Sequence, residues 1–523
     1  MTGTLRLLRL VLRRDRFVLP FWVLGLGLLP YIYVTGFDTL FATVQERIQY
    51  ARISAANAGF VGLYGPLHGD SIGELVVWRG GFSPVLVGLA ALLTVIRHTR
   101  ADEEAGRTEL IRATVVGRFA PMAAALLTTA AAGLVMGVIV TVTLIGQGLP
   151  AGGSVALGAV FAISVWMFAG VGALAAQLSG TARGARAIGV LVLGVVWVLR
   201  LAGDISATGD GSLSWLSWLS PIGWVHRVFP FGADDWWPAV LAVVVTLATV
   251  VVSAYLLTRR DLGGGLLAGR LGPAAAAASL RSPVALAWRL HRGLLFGWVG
   301  GFAALGLIFG AVAASVVALA EDSAGVGEMF ARIGGSDGVL DGYFGTVAPI
   351  CGIMAACYAI QAALRIRDEE QTGHAEAILS TDVSRVAWAG SHLLFALAGP
   401  AVALLAEGLF TGLVHGDVAL MVKVALVQLP AVWVLAGLAM LLIGVAPRAA
   451  AAAWAGVAVV LLLMLVGPLL EFDQWVLDLS PFTHVPHLPA ASLSAVPLMN
   501  LTLIAAALGG AGLLALRRRD VPG

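Results

Sequence analysis

The chain has 523 residues, of which 59% are hydrophobic and 12% charged, with a net charge of +2. Soluble globular chains carry about 25% charged residues, so this one cannot cover its apolar surface with polar groups and fold in water. Its near-neutral charge also gives no footprint for nucleic acid, and its thirty-one arginines against one lysine, Lys423, reflect a GC-rich genome rather than a mechanism.

A bilayer core of about 30 Å needs roughly 20 apolar residues per helix. Twelve such runs occur, at 17–35, 76–96, 120–145, 155–178, 187–203, 237–257, 294–317, 346–364, 388–414, 420–444, 451–470 and 498–516. The runs are continuous rather than alternating. That predicts helices, whose backbone polar groups are satisfied within the segment, and not barrel strands. The first run follows Arg13, Arg14 and Arg16 and lacks a small-residue cleavage site, so it reads as a retained anchor. Cys351 and Cys357 fall in the eighth run, six residues apart and on different helix faces, and form no disulfide framework.

Loop charge orients the spans. With the N-terminus inside, cytoplasmic segments hold twenty-five of the thirty-two basic residues. The external side holds Arg47, Arg52, Arg79, Arg200, Arg227, Arg332 and Lys423. By the positive-inside rule, and because twelve is even, both termini are expected in the cytoplasm. Glu407 is the one carboxylate well inside a run. A charge at that depth either lines a cavity or is a hydrogen-bonded packing residue. The external stretch before the sixth span carries Trp215, Trp218, Trp224, Trp236 and Trp237. Aromatics there anchor the interface or offer a surface to an amphiphilic substrate.

Three blocks recur in order. Arg13, Arg16 and Trp22 match Arg289, Arg292 and Trp298; ADEEAGRTELIRATVVGR (101–118) matches DEEQTGHAEAILSTDVSR (368–385); Leu219-Ser220-Pro221 matches Leu479-Ser480-Pro481. Each half ends in Arg-Arg-Asp, at 259–261 and 518–520. The expected architecture is an all-α polytopic membrane protein: about twelve transmembrane helices as two parallel six-helix repeats, 1–261 and 288–523, joined by a cytoplasmic linker at 262–287. The two matching charged loops, acidic before a glycine and basic at their far end, predict a short amphipathic helix at the inner membrane face, favoured by the helix macrodipole. Glu109 is expected to face water or a partner and Ile111 the membrane.

The pattern E-x-x-G-x-x-E-x-I-x-x-T-x-V-x-R after the second span, and the L-S-P turn before the last, resemble the ABC-2 type exporter permeases. The fused twelve-span layout is similar to the polyketide-antibiotic and multidrug exporter permeases of actinobacteria. Arg107 and His374 stand where the family usually has a small Thr, and Val115 and Asp382 where it has Pro, so the two loops are expected to be inequivalent. The resemblance implies two copies of a cytoplasmic ATPase that bind ATP and Mg. It implies coupling residues Glu103, Glu104, Gly106, Glu109 and Arg118 in one loop and Glu369, Glu370, Gly373, Glu376 and Arg385 in the other. It also implies export of a hydrophobic or amphiphilic small molecule, with antibiotic resistance as an outcome, from a bacterial plasma membrane. Glu407, Trp215, Trp218 and Trp224 are candidates for the substrate pathway. This chain has no phosphate-cradling G-x-x-x-x-G-K-[ST] loop, and its His484/His487 pair, spaced around Pro486, lacks a third metal ligand. The alternatives are a secondary transporter of the major facilitator type, which would show a basic loop between spans two and three, and a lipid-modifying membrane enzyme, which would need a polar catalytic cluster.

Overall fold

The computed structural model describes residues 2–41, 43–56, 58–208, 211–267, 274–322, 339–466, 473–489 and 491–519. Arg332, Asp520 and residues 268–273 of the expected linker lie outside them. The chain divides into two compact units, Met1–Gly272 and Pro273–Gly523, with the division inside that linker.

Among the described residues, twelve helices are long and apolar enough to cross a membrane. Those of the first unit are Val18–Asp38, Ser83–Glu104, Ala120–Gly146, Ala151–Leu178, Ala182–Ala207 and Trp237–Arg259. Those of the second are Pro283–Ala313, Tyr343–Gln371, Arg385–His415, Val418–Val445, Pro447–Met464 and Ala495–Arg518. They fall on the twelve apolar runs, and the protein is an all-α, multi-pass membrane protein.

The ends differ from the hydropathy runs where polar chemistry extends or stops a helix. The second span starts later than 76, because Ile72–Arg79 is a separate helix with Ser71 and Glu74 closing a capping box, and Gly80 ends it. The second and eighth spans run on into their acidic clusters, ending at Glu104 and Gln371. The tenth run is two helices, Val418–Leu426 and Leu429–Val445, with Pro430 in the first turn of the second.

In each unit the second and fourth spans are the most buried. The shares are 56% and 78% in the first unit and 67% and 61% in the second. Small residues let helices meet where lipid gives no hydrophobic drive. At the crossing of spans three and four, a Cβ on Gly137 would strike the Gly158 carbonyl, and one on Gly158 the Gly137 carbonyl. A tryptophan bond fastens the same two spans in each unit. Trp166 Nε1 donates to Ala130 O in the first and Trp433 Nε1 to Leu397 O in the second, both at 3.0 Å and across thirty-six residues.

Candidate functional site

The charged loops are built alike from the residues up. Gly106 has φ +70° and Gly373 +74°, the left-handed region where a side chain is strained. Each reverses the chain and starts a six-residue helix, Arg107–Arg112 or His374–Leu379. The repeated Thr closes each turn: Thr114 Oγ1 donates to Ile111 O and Thr381 Oγ1 to Ile378 O, both at 2.6 Å.

The acidic cluster is not the solvent-facing surface expected from its charge. Glu103, Glu369 and Glu370 are buried, as is Asp102. Desolvating a carboxylate is unfavourable unless cations and donors replace the water, and each finds them within its own unit. Glu103 takes both arms of Arg260, at 2.6 and 2.7 Å, and the Gly263 N–H at 2.7 Å. Glu370 accepts from Arg519 at 2.5 Å and from Arg367 at 2.9 Å. Arg260 and Arg519 are the second arginines of the two Arg-Arg-Asp ends. The carboxylates of Glu103 and Glu370 face inward and tie the loop to the end of the unit's last span, whereas Glu369 faces the ninth span.

Arg118 and Arg385 strengthen the same tie. Arg118 donates to Leu257 O at 2.6 Å and Arg260 O at 3.1 Å, and Arg385 to Arg519 O at 2.5 Å. A basic side chain on the unpaired carbonyls of a helix C-terminus satisfies them and suits the dipole. Glu104 is exposed, and one of its oxygens accepts from the Ala182 N–H at the start of the fifth span, 2.8 Å away.

The two knots differ at the preceding carboxylate. Asp102 is held by Arg14 and Arg107, both at 2.6 Å. Glu369 accepts from Trp388 Nε1 at 3.0 Å and lies 3.3 Å from His392, whose other ring nitrogen meets His291 at 2.9 Å. His374 meets its neighbour, the Thr372 hydroxyl, at 2.6 Å.

Left on the outside are Glu109 and Glu376, both exposed and in no ion pair among the described residues. Beside Glu109, Leu110 and Val115 are 75% and 87% exposed. Ile111 turns inward onto Leu7, Ala120 and Ala124. Exposed charge and apolar side chains thus stand together on one short, anchored loop.

The pathway candidates are not brought to these loops. Glu407 is buried in the ninth span, accepting from Thr411 at 3.1 Å. Trp218 stacks on Trp237 (centroids 5.3 Å apart), the Arg227 guanidinium lies over the Trp218 ring at 4.4 Å, and Trp224 Nε1 donates to Trp218 O at 2.7 Å. Trp215 is exposed. The residues that sequence reasoning missed are Arg260 and Arg519. Their signal was the Arg-Arg-Asp recurrence, seen as a repeat but not as the counter-charge of the acidic cluster.

Twelve spans, with charged loops tied to the ends of spans, define a multi-pass integral membrane protein. The sequence agrees. Residues 6–257 and 280–517 match the family model described as the multidrug efflux system permease Rv1217c, C-terminal domain. The chain is 41% identical over 529 residues to the multidrug efflux system permease protein Rv1217c of Mycobacterium tuberculosis, covering 99% of this chain and 95% of that one. The chain belongs to this family and is a membrane permease of an ABC-type exporter.

Proposed function

We propose that this chain is the membrane-spanning subunit of an ATP-driven exporter of hydrophobic or amphiphilic small molecules, drugs and antibiotics among them, in a bacterial plasma membrane. Both termini and both charged loops are cytoplasmic. Two copies of a separate ATPase, holding ATP and Mg, dock on the short helices Arg107–Arg112 and His374–Leu379. The name of the Mycobacterium tuberculosis relative supports multidrug efflux. The two six-span halves act as parallel repeats.

The observation that carries the coupling reading is the pair of buried knots. Because Glu103–Arg260 and Glu370–Arg519 fix each short helix to the end of a span, a push on Glu109 or Glu376 is delivered to a helix crossing the membrane. An exposed ion pair contributes little by itself, but a reversed charge adds repulsion across an interface. The double variant Glu109→Arg, Glu376→Arg should reach the membrane, because both side chains lie outside the packed bundle. It should then fail to co-purify with the cognate ATPase and lose drug-stimulated ATP hydrolysis. Normal ATPase retention and efflux in this variant would overturn the coupling reading.

A further inference from the structure

The first unit contains a cavity of about 230 Å³ that none of the charged-loop chemistry uses. It lies between the capped helix Ile72–Arg79, the start of the fourth span, and the turn after the short helix Pro221–His226. Its walls include Tyr64, Trp78, Phe161 and Phe229. Glu74 is the one carboxylate among its lining residues, and no Lys or Arg lines it.

The walls are fixed in place. Trp78 Nε1 donates to Gly65 O at 3.1 Å, and His226 Nε2 donates to Gly81 O at 2.9 Å. Phe229, Phe231 and Asp234 have φ of 47°, 66° and 46°. Three left-handed non-glycine residues within one turn are costly and persist only where surrounding contacts hold them. Here the Phe231 ring fills the space a Cβ would take at Gly73 and Gly153, and the Asp234 carboxylate accepts from the Phe231 N–H at 3.0 Å. The result presents Phe229 edge-on to His68, with ring centroids 4.3 Å apart, at the cavity wall.

The charge inside is negative. One oxygen of Glu74, Oε2, accepts from Ser71 N and Ser71 Oγ, at 3.2 and 2.7 Å. Oε1 accepts no hydrogen bond from the described residues. Burial lowers the pKa of His68, and burial with the charges of Arg200 and Arg227 lowers that of His226 to about 3, so both rings are neutral near pH 7; neither arginine lines the cavity.

We propose that this cavity is a binding site for flat aromatic cations, with the ring system between Trp78, Phe229 and Phe161 and the positive charge toward Glu74 Oε1. Aromatic faces attract cations, and apolar pockets with a few polar groups are the usual form of small-molecule sites. By the orientation proposed above the cavity opens on the external, exit side; that side rests on the proposed function, and the binding itself does not.

The test uses the full-length chain alone in zwitterionic lipid nanodiscs, without ATPase, so that failure here is separate from failure of coupling. Ethidium is the cationic probe and Nile red the neutral one, both read by fluorescence. Glu74→Gln keeps the capping box, which takes Glu or Gln, and removes only the charge. It should weaken ethidium binding about tenfold, as expected for losing a charge-assisted contact, and leave Nile red unchanged. Ala233→Trp, on an exposed lining residue, should block both dyes without disturbing the core. Undiminished ethidium binding in Ala233→Trp would overturn the site. Loss in Ala233→Trp with no change in Glu74→Gln would overturn the assignment to cations.

Discussion

At the scale of single residues, the charged loop shows how burial decides what a carboxylate is for. Glu103 and Glu109 are six residues apart in one loop, yet one is sealed against Arg260 and the other stands in water. Breaking a buried pair by removing one partner leaves the other charge uncompensated and costs about 3–5 kcal/mol. Glu103→Gln should therefore lower the thermal unfolding midpoint of the purified chain. Glu103→Leu with Arg260→Met, which removes both charges, should recover part of the loss, because an apolar pair of similar volume needs no desolvation. A Glu103→Gln variant as stable as the wild type would show that the knot contributes nothing. Net charge and position in the loop gave no warning of this difference. The sequence placed all the glutamates on one charged stretch, and the partner that separates them is 157 residues further along.

At the scale of elements, the short helices depend on one backbone feature each. A Cβ on Gly106 or Gly373 would meet nothing within 4 Å, so space does not require glycine there. Conformation does: both take φ near +70°. Gly106→Ala and Gly373→Ala should each cost roughly 1–2 kcal/mol from that φ alone. The reading is local unwinding of the short helix, seen as faster amide exchange over 107–112 and 374–379, with the spans unaffected. Unchanged exchange in both variants would remove the glycine turn from the argument. The spans themselves were legible in the sequence, because lipid forces a long apolar run onto every crossing. Their ends were less so. Where the second and eighth spans continue into Asp102–Glu104 and Glu369–Glu370, the helix is sustained by ion pairs to distant residues, which hydropathy does not register. The separate helix Ile72–Arg79 was hidden for a related reason: its apolar residues merged with the following span, and the Ser71–Glu74 capping signal is only four residues long.

At the scale of the whole molecule, orientation is the property on which export, docking side and cavity side all depend. Lys and Arg are retained on the cytoplasmic side of short loops, and the count favours that side for both halves. With six crossings per half, the loops at 101–118 and 368–385 must then face the same way, as a parallel repeat requires. Single cysteines report this directly. Ala105, Gln371, Ser212 and Ser492 are all exposed, so side-chain burial will not mask any of them. The native thiols lie within the eighth span, Cys351 fully buried, and Cys351→Ala with Cys357→Ala gives a silent background. In intact cells, an impermeant maleimide should label cysteine at Ser212 and Ser492. It should reach cysteine at Ala105 and Gln371 only after the membrane is opened. Labelling of Ala105 but not Gln371 in intact cells would make the halves antiparallel and would end the account of two docking loops on one side of the membrane. Labelling of both, with protection of Ser212 and Ser492, would invert the molecule. The aromatic cavity would then face the cytoplasm, as an entry site rather than an exit, and the short helices would lie where no ATPase can reach them.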